Sequence, residues 1–425
     1  MAIRVIGGGL AGVEAAYQIA KRKKEVILYE MRPKKMTPAH RSGFLAEIVC
    51  SNSFKSKDIK DAHGLLKEEM SILDSIVLKI AKETEIPGGK ALVVDRWRFA
   101  ERITEEISKN PLIRIVREEI TDIPEGIVII ATGPLTSEAL TQKIVELTGK
   151  ENLHFFDAIS PIVDGTTIDM EKAFFGSRYA KDQSDYLNLP LSKEEYEVFY
   201  RELINAKKVE LREFEKTPYF EGCLPIEVLA ERGIKTLLYG PMKPVGLKDP
   251  RTNKMPYAVV QLRREDKEGS MYNMVGFQTK MTYPEQERVF RLIPALRNAK
   301  FLRYGSIHRN TFINSPELLT PALRLKKDQR ILFAGQITGV EGYMEAAAMG
   351  IIAGISASFL YDGKEFTPPP STTCIGALIA YITEKRSDFQ PMNINFGLLK
   401  DYTKKKKEAL IERALTEMKS YKASI

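Results

Sequence analysis

The sequence predicts an α/β protein with a Rossmann-type dinucleotide-binding domain and an inserted α+β domain. Three features predict it: a glycine-rich turn between a strand and a helix near the N-terminus, two later strands that open into small-residue turns, and a central region of different character. We expect residues 1–160 to form the first part of the dinucleotide-binding domain, 161–305 the inserted domain, and 306–425 the second part with C-terminal helices.

The N-terminal unit begins with an apolar run at residues 3–6 and continues as Gly7-Gly8-Gly9-Leu10-Ala11-Gly12. The spacing of apolar residues predicts a helix over 13–24, and a second apolar strand follows at 26–29. Glu30 comes 18 residues after Gly12, close to the roughly 20 that such units show. The pattern therefore predicts a dinucleotide site formed by this turn.

Each glycine has a physical task in such a unit. Gly7 permits the tight turn, Gly9 lets the backbone approach a pyrophosphate, and Gly12 allows the helix to pack closely on the strand. The helix N-terminus offers free N–H groups to the phosphates. Glu30 is expected to accept hydrogen bonds from a ribose diol.

Two later segments favour FAD over NAD as the dinucleotide. Residues 126–133 and 331–335 each read as a buried strand that ends in a small-residue turn, and an alanine-rich helix is predicted from Glu345. Both segments resemble those of the flavoproteins related to glutathione reductase. That resemblance implies further FAD contacts at Gly335, Gln336, Gly342, Tyr343 and Met344. Asp95-Arg96 is either another segment that approaches FAD or an ion pair at the start of a helix.

The inserted region carries an acidic, tyrosine-rich helical stretch at 192–215 and strand-like pieces at 237–244 and 257–263. His308 is predicted to lie in a short polar turn over residues 306–310. We expect the insertion to cover the flavin and to receive the substrate, and the chain from about Ser371 to return to the flavin domain.

Composition excludes several classes of protein. Of the 425 residues, 44% are hydrophobic and 28% charged, which suits a globular chain, and we find no stretch near the roughly 20 apolar residues of a membrane span. Without a signal-peptide pattern, we expect a cytoplasmic protein. The three cysteines are far apart and the four histidines unclustered, so we expect neither a metal site nor disulfides. The net charge of +8 fits either a phosphate-rich partner or a charge-rich surface.

Several longer motifs resemble the TrmFO family, the folate- and FAD-dependent tRNA uracil-5-methyltransferases, along essentially the whole chain. They are Glu30-Met31-Arg32-Pro33, Thr37-Pro38-Ala39-His40, residues 47–53 with Cys50, 220–227 with Cys223, 240–247, 276–280, 308–314 and 335–343. The resemblance adds Arg32 to the expected cofactor contacts.

The resemblance implies methylation of carbon 5 of a T-loop uridine in tRNA. The carbon would come from methylenetetrahydrofolate, and NADH or NADPH would reduce the FAD. Carbon 5 of uracil is a poor nucleophile, so a thiolate adds first to carbon 6. The folate carbon then needs a two-electron reduction, which a flavin can supply. The tRNA T-arm would be the macromolecular partner, with no membrane and no obligate protein partner.

The resemblance also suggests roles for single residues. Cys223, in Gly-Cys-Leu-Pro at the start of a helical stretch, is the expected nucleophile, and Cys50 is expected to assist proton removal or to hold flavin or substrate. Cys374 fits a buried small side chain. His308, Arg309 and Glu341 are candidates for folate or substrate contacts, although His308 also fits a turn residue satisfied by backbone.

The RNA-docking surface stays open among several basic and aromatic clusters. These are Lys404 to Lys407, Lys21 to Lys24, Arg263-Arg264, Lys207-Lys208, and the tyrosines Tyr179, Tyr186 and Tyr196. Each also fits a solvated face or the core.

Other functions compete with this interpretation. The same chemistry on ribosomal RNA would leave these motifs unchanged. A larger flavoprotein that modifies the tRNA wobble uridine carries a longer C-terminal helical region, and a disulfide reductase needs a paired cysteine motif that this chain lacks. A non-methylating flavin-bearing RNA-binding protein has no reason to keep Cys50 and Cys223 within matching motifs.

Overall fold

The computed structural model describes residues 2–149, 153–178, 185–209, 224–386, 389–403 and 407–425. Its elements, in chain order, are β1 (Ile3–Ile6), α1 (Leu10–Lys21), β2 (Val26–Tyr29), β3 (Ser53–Ser56), α2 (Ala62–Ile72), α3 (Ile76–Glu83), β4 (Glu85–Ile86), β5 (Ala91–Val94), α4 (Arg96–Lys109), β6 (Ile113–Val116), β7 (Val128–Ile130), α5 (Glu138–Thr148), β8 (Leu153–Ile159), β9 (Ile162–Asp164), β10 (Phe174–Gly176), β11 (Tyr186–Leu191), α6 (Lys193–Asn205), α7 (Ile226–Glu231), α8 (Thr236–Tyr239), β12 (Ala258–Arg264), β13 (Met271–Met274), α9 (Tyr283–Phe290), β14 (Phe301–Arg303), β15 (Ser306–Phe312), α10 (Ser315–Leu318), β16 (Ile331–Phe333), α11 (Tyr343–Tyr361), α12 (Cys374–Thr383) and α13 (Lys407–Ser424).

A parallel sheet with the order β16-β7-β1-β2-β6 forms the centre of the first domain. Its strands are short and apolar, as expected for strands covered on both faces. Because β1 lies between β2 and β7, the chain leaves β1 at the point where the strand order reverses, which is where open α/β sheets bind ligands. The predicted α/β fold with a Rossmann-type core is confirmed.

The inserted region forms a second, antiparallel sheet with the order β10-β11-β12-β13-β9-β14. Its strands run from Ile162 to Arg303, and a separate apolar core joins them to α6, α7 and α9. Tyr196, Phe199, Phe277 and Phe290 are fully buried there. The domain limits at 160/161 and 305/306 remain predictions that agree with this arrangement.

Helix α11 packs along α1, and glycines make the close contact possible. A Cβ at Gly350 would overlap the backbone of Ala11, and one at Gly354 would lie 2.7 Å from the carbonyl oxygen of Ala15. At 19 residues, α11 is long and apolar enough to cross a membrane by length and composition, so the sequence-based statement that no stretch approached this length was wrong. Most of α11 is buried inside the protein, which is the environment of a core helix.

Three local predictions were wrong in detail. Residues 237–244, predicted as strand-like, form the short helix α8 and turns, because Pro241 and Pro244 have no N–H to donate to a sheet. The segment 306–310, predicted as a turn, is part of β15, which pairs antiparallel with β8. Helix α1 begins at Leu10 rather than at residue 13, because Gly9 already serves as its N-cap.

Glu14 joins α1 to the start of α3 inside the core. Its Oε1 accepts hydrogen bonds from the Ser75 hydroxyl and from the backbone N–H of Val77, at 3.0 Å for the latter. Its Oε2 is buried and has no hydrogen-bond partner among the described residues. Burial raises the pKa of this carboxyl from 4.5 to about 7, although the hydrogen bonds act in the opposite direction. Below about pH 7 the Glu14 carboxyl of the folded protein is therefore mostly protonated.

We expect Glu14 to make the protein less stable as the pH rises from about 4.5 to 7. Over that range the unfolded chain releases the proton while the folded chain retains it, and a rise from 4.5 to about 7 corresponds to about 3 kcal/mol. Glu14→Gln should remove this part of the pH dependence, measured by urea unfolding at pH 5 and pH 8.

Glu138→Gln, at an exposed position in the first turn of α5, is the matched control and should keep the wild-type pH profile. Identical profiles for Glu14→Gln and the wild type would contradict the assigned environment.

Candidate active site

A cavity of about 1030 Å³ opens where β1, β2, β7 and β16 end. Its wall combines the turn after β1, the acidic end of β2, the loop after β7, and the turn after β16. Carboxyl ends of parallel strands meet at one edge of a sheet, so four distant sequence segments converge here.

The glycines of the first turn are arranged for a close-lying ligand. Gly7 has a φ of +104°, and a Cβ at Gly12 would overlap the carbonyl oxygen of Gly7. In contrast, a Cβ at Gly9 would meet nothing within 4 Å, so open space lies in front of that residue. Gly7, Gly8, Gly9, Leu10 and Ala11 line the cavity, whereas Gly12 packs beneath it. The turn and the uncapped N-terminus of α1 thus fit a pyrophosphate group.

Glu30 and Arg32 form a buried ion pair at the end of β2. Arg32 Nε lies 2.9 Å from Glu30 Oε1, and Arg32 Nη2 lies 3.0 Å from Glu30 Oε2, so the pairing is bidentate. Gly8 N–H also donates to Glu30 Oε2 at 3.0 Å. Burial alone would raise the pKa of Glu30, but the hydrogen bonds and charge of Arg32 hold it below its usual value. Glu30 is therefore ionised and lines the cavity, and its contact with a ribose diol stays a prediction.

The same network extends to Glu47 and His40, which also line the cavity. Arg32 Nη1 lies 3.3 Å from Glu47 Oε2, and the Glu47 carboxylate accepts backbone hydrogen bonds from Arg41 and Ser42. Burial, and then the charge of Arg32, lower the pKa of His40 to about 4, so the imidazole is neutral near pH 7.

The second glycine turn follows β16. Gly335, with a φ of +82°, and Gln336 line the cavity together with Tyr343 at the start of α11. Gly342 is the N-cap of α11, and Met344 is buried in the main core, so neither lines the cavity. Glu341 lies behind Gln336, whose Nε2 donates to Glu341 Oε2 at 2.6 Å, and is likewise absent from the wall.

The loop of residues 48–52, which carries Cys50, is held by side chains from distant parts of the chain. Arg96 donates to the carbonyl oxygen of Ile48, and Arg303 Nη1 donates to that of Val49 at 2.9 Å. The Tyr343 hydroxyl accepts from the N–H of Cys50 at 2.8 Å and from that of Ser51 at 3.2 Å. Arg263 donates to Ser51 Oγ and Asn52 Oδ1. Cys50 is therefore held in place although its side chain is only half-buried.

A second cavity, of about 1770 Å³, lies between the two domains. Glu47 and Leu135 line both cavities. Arg96, Glu265 and Arg303 lie on its wall, and Tyr283 and Tyr304 stack there with ring centroids 4.9 Å apart. Val49 borders the first cavity, and Arg96 and Arg303, which bond to this loop, border the second, whereas Cys50 itself lines neither.

The pKa of the Tyr343 hydroxyl is raised, mainly because the group is buried and to a smaller extent because of the charge of the Cys50 sulfur. Burial and then the charge of Arg96 lower the pKa of Arg303 to about 10, whereas the ion pair with Glu265 outweighs burial and raises the pKa of Arg96. Both guanidinium groups bond to backbone carbonyls of the Cys50 loop, so they bring positive charge to the part of the site that carries Cys50.

Three predicted site residues have no described side chain. Cys223 lies outside the described residues, and the structure places only the backbone of His308 and Arg309, in β15 opposite β8. Ser306 and Ile307 of the same strand line the second cavity. Helix α7 begins three residues after Cys223, with Pro225 as its N-cap.

The contacts of Asp95 and Arg96 differ from the two that the sequence suggested, an approach to FAD or an ion pair at the start of a helix. Asp95 caps α4 through the N–H groups of Trp97 and Arg98, and Arg96 makes a buried ion pair with Glu265 of the inserted domain at 2.7 Å. Neither residue lines the first cavity.

The structure narrows the candidates for RNA contact. Tyr196 is fully buried in the inserted domain, and Arg263 is 7% exposed and bonded to the Cys50 loop, so neither can face RNA. Lys21 and Lys24 pair with Asp74 and Asp362 at the far end of α1. Lys404 to Lys406 and Tyr179 lie outside the described residues.

Three other candidates for RNA contact are only partly buried in the structure. Lys208 pairs with Glu231, the Lys407 ammonium lies 4.7 Å from the Phe396 ring, and Tyr186 is half-buried in β11.

Sequence reasoning missed Arg303, Glu265 and the role of Arg263. All three lie in the inserted domain, where no motif marks them, and only the fold brings them to the Cys50 loop. His40 and Glu47 stood within recognised motifs, but the sequence assigned them no role. Within the described ranges there is no group of three or more His, Cys, Asp or Glu residues placed to hold a metal ion, and the absence of a metal site stays a prediction.

Comparison with known proteins yields a consistent set of relatives. A family model described as "Glucose inhibited division protein A" matches residues 2–365. The chain is 57% identical to methylenetetrahydrofolate--tRNA-(uracil-5-)-methyltransferase TrmFO of Persephonella marina (strain DSM 14350 / EX-H1), covering 99% of this chain and 98% of that protein. It is 56% identical to the protein of the same name from Aquifex aeolicus (strain VF5), covering 98% and 95%.

Among solved structures, the fold matches Aquifex aeolicus GidA in its form II crystal. The TM-score is 0.72 at 18% identity, and the match covers 100% of this chain and 73% of that chain. At this identity the likeness shows a shared fold.

Tyr343→Phe should loosen the Cys50 loop, because it removes the acceptor for two backbone N–H groups while keeping the ring beside Phe54. We expect a loss of about 1–3 kcal/mol in the free energy of unfolding. Alkylation of Cys50 by iodoacetamide, followed by peptide mass spectrometry, should become faster. Tyr421→Phe is the control, since the buried Tyr421 hydroxyl has no partner in the described part of the chain. Unchanged Cys50 labelling in Tyr343→Phe would refute this role.

Proposed function

The chain belongs to the family of the methylenetetrahydrofolate--tRNA-(uracil-5-)-methyltransferases TrmFO, and on that premise we propose that it methylates carbon 5 of a T-loop uridine in tRNA. The carbon donor is methylenetetrahydrofolate, and NADH or NADPH supplies electrons through FAD. The observation that carries the proposal is that the Cys50 loop borders the first cavity through Val49 and is bonded to Arg96 and Arg303, which line the second.

The first cavity fits FAD by the chemistry of its wall. The open space before Gly9, the uncapped start of α1 and the ionised Glu30 are the features that a dinucleotide requires. Gly7, Gly8, Gly9, Leu10, Ala11, Glu30, Arg32, Gly335, Gln336 and Tyr343, which all line this cavity, would hold the cofactor. When bound, FAD supplies the two-electron reduction that brings the transferred carbon to the methyl level.

The second cavity is the proposed space for folate and the target uridine. It shares Glu47 and Leu135 with the first cavity, which supports a planar ligand that extends toward the cofactor. The stacked Tyr283 and Tyr304 offer an aromatic wall. His308 and Arg309 belong to the strand whose Ser306 and Ile307 line this space, which supports their proposed contact with folate or substrate.

The proposed chemistry gives two cysteines different roles. Cys223 is the proposed nucleophile, whose thiolate adds to carbon 6 and makes carbon 5 reactive, and this role rests on the family motif. Cys50 is the proposed partner that assists removal of the proton from carbon 5. The positions of Arg96, Arg303 and Tyr343 around it support this, because they fix the loop and favour a nearby anion.

The RNA substrate is tRNA in this proposal because the relatives named above carry tRNA in their names. The T-arm, the choice of reductant, the cytoplasmic location and action without an obligate protein partner belong to the proposal as well. Glu341, which accepts a hydrogen bond from the cavity-lining Gln336, would act as a positioning residue.

We expect purified protein to transfer labelled carbon from methylenetetrahydrofolate to a tRNA transcript in the presence of NADH or NADPH. Cys223→Ala should retain bound FAD and lose transfer by at least about 10³-fold, because the nucleophile is absent. Cys50→Ala should also retain FAD and be strongly impaired. Cys374→Ala is the matched control, since Cys374 is buried at the start of α12, away from both cavities, and its activity should persist.

Parallel reactions contain a ribosomal RNA fragment, or S-adenosylmethionine in place of folate. Label in ribosomal RNA alone would change the substrate and keep the chemistry. Full activity of Cys223→Ala would remove that residue from the mechanism. No label in either RNA from an FAD-loaded protein would refute the proposal.

A further inference from the structure

The wall of the inter-domain cavity carries polar atoms that no described residue satisfies. Arg303 Nε and Nη2, Arg96 Nη2 and Glu265 Oε1 are each shielded from solvent and have no hydrogen-bond partner. All three residues line the same cavity. An unsatisfied buried polar atom costs about 1–3 kcal/mol, and a charged one costs more. Four such atoms on one wall indicate a place that a ligand completes.

The three side chains are otherwise fixed, so their free atoms have set positions. Arg96 Nε donates to Glu265 Oε2 at 2.7 Å, Arg96 Nη1 donates to Ile48, and Arg303 Nη1 donates to Val49. Arg96 and Glu265 have side-chain exposures of 5% and 1%. Arg96 and Arg303 bond to the consecutive residues Ile48 and Val49, and Glu265 pairs with Arg96, so the three side chains converge on one part of the cavity wall.

The free atoms are of two kinds, and this selects the ligand chemistry. Arg303 and Arg96 present N–H donors, whereas Glu265 Oε1 presents an acceptor. A simple anion would use the donors but leave a buried carboxylate oxygen facing like charge. A lactam edge, in which an N–H stands next to a C=O, satisfies both kinds of atom together.

We propose that Arg96, Glu265 and Arg303 form a subsite that binds the lactam edge of a planar heterocycle. The ring carbonyl accepts from the guanidinium groups, and the adjacent ring N–H donates to Glu265. Uracil and the pterin of folate both carry such an edge, so the identity of the ligand rests on the proposed function. In either case the subsite orients the ring beside the Cys50 loop.

The test compares ligands that differ only at the lactam, in equilibrium binding to the FAD-loaded protein. One arm uses a T-arm RNA hairpin with uridine or 3-methyluridine at the target position, which blocks the N–H. The other arm uses folic acid and 4-amino-4-deoxyfolic acid, in which the lactam pattern is reversed. We expect the unmodified member of one pair to bind about ten- to a hundredfold more tightly, and that pair identifies the ligand.

Glu265→Gln and Arg303→Lys should both reduce this preference to less than about threefold. Gln can still accept from Arg96, and Lys can still donate to Val49, so each variant keeps the local structure, and retained flavin absorbance checks the fold. Leu302→Ala, on the same cavity wall, is the matched control and should keep the preference.

No preference in either pair, or a preference that both variants retain, would overturn the subsite. The binding assay needs no turnover, so it is independent of methyl transfer. A binding preference without methyl transfer would support the subsite and contradict the proposed function. Methyl transfer without a binding preference would support the proposed function and contradict the subsite.

Discussion

The Cys50 loop is anchored from both domains, and the geometry of the candidate site depends on that anchoring. Arg96 and Tyr343 belong to the dinucleotide-binding domain, whereas Arg263 and Arg303 belong to the inserted one, and all four bond to residues 48–52. Asn52, fully buried, donates to the carbonyl oxygens of Val94 and Arg264 and so joins the domains again. Moving either domain would therefore move the Cys50 loop.

Buried charge is the cost of this arrangement. Taking guanidinium and carboxylate groups out of water is unfavourable unless their hydrogen bonds are complete. The Glu30–Arg32 pair meets that condition, since both carboxylate oxygens are bonded and Arg32 also reaches Glu47. The Arg96–Glu265 pair does not, because Arg96 Nη2 and Glu265 Oε1 find no partner in the described part of the chain. The first pair stabilises the cofactor end of the site, and the second keeps unsatisfied groups facing the proposed substrate space.

Close backbone packing determines where the cofactor cavity opens. Gly12 lies against Gly7, and Gly350 and Gly354 lie against α1, so the first helix is fixed between the sheet and α11. Gly9, in contrast, faces open space. The glycines in contact with the backbone thus set the position of α1, and the remaining one leaves its N-terminus accessible to a phosphate.

The sequence alone determined the fold class and one half of the site. Residues 7–12, Glu30 and the strands that precede them follow local rules of turn geometry and apolar periodicity, so their spacing along the chain is enough to predict them. Cys50 stood out only through a family motif, because a cysteine by itself does not indicate its surroundings. Segments such as 237–244 and 306–310 were misread because short apolar or polar runs do not specify their pairing partners.

The other half of the site, on the side of the inserted domain, depends on the tertiary structure alone. Arg303 lies 253 residues after Cys50 in the chain, and Glu265 lies 169 residues after its partner Arg96. Such contacts carry no local signal, since they arise from how the inserted sheet packs against the first domain. The free donors and acceptor on the second cavity likewise exist only in the folded chain, because hydrogen-bond satisfaction is a property of three-dimensional neighbours.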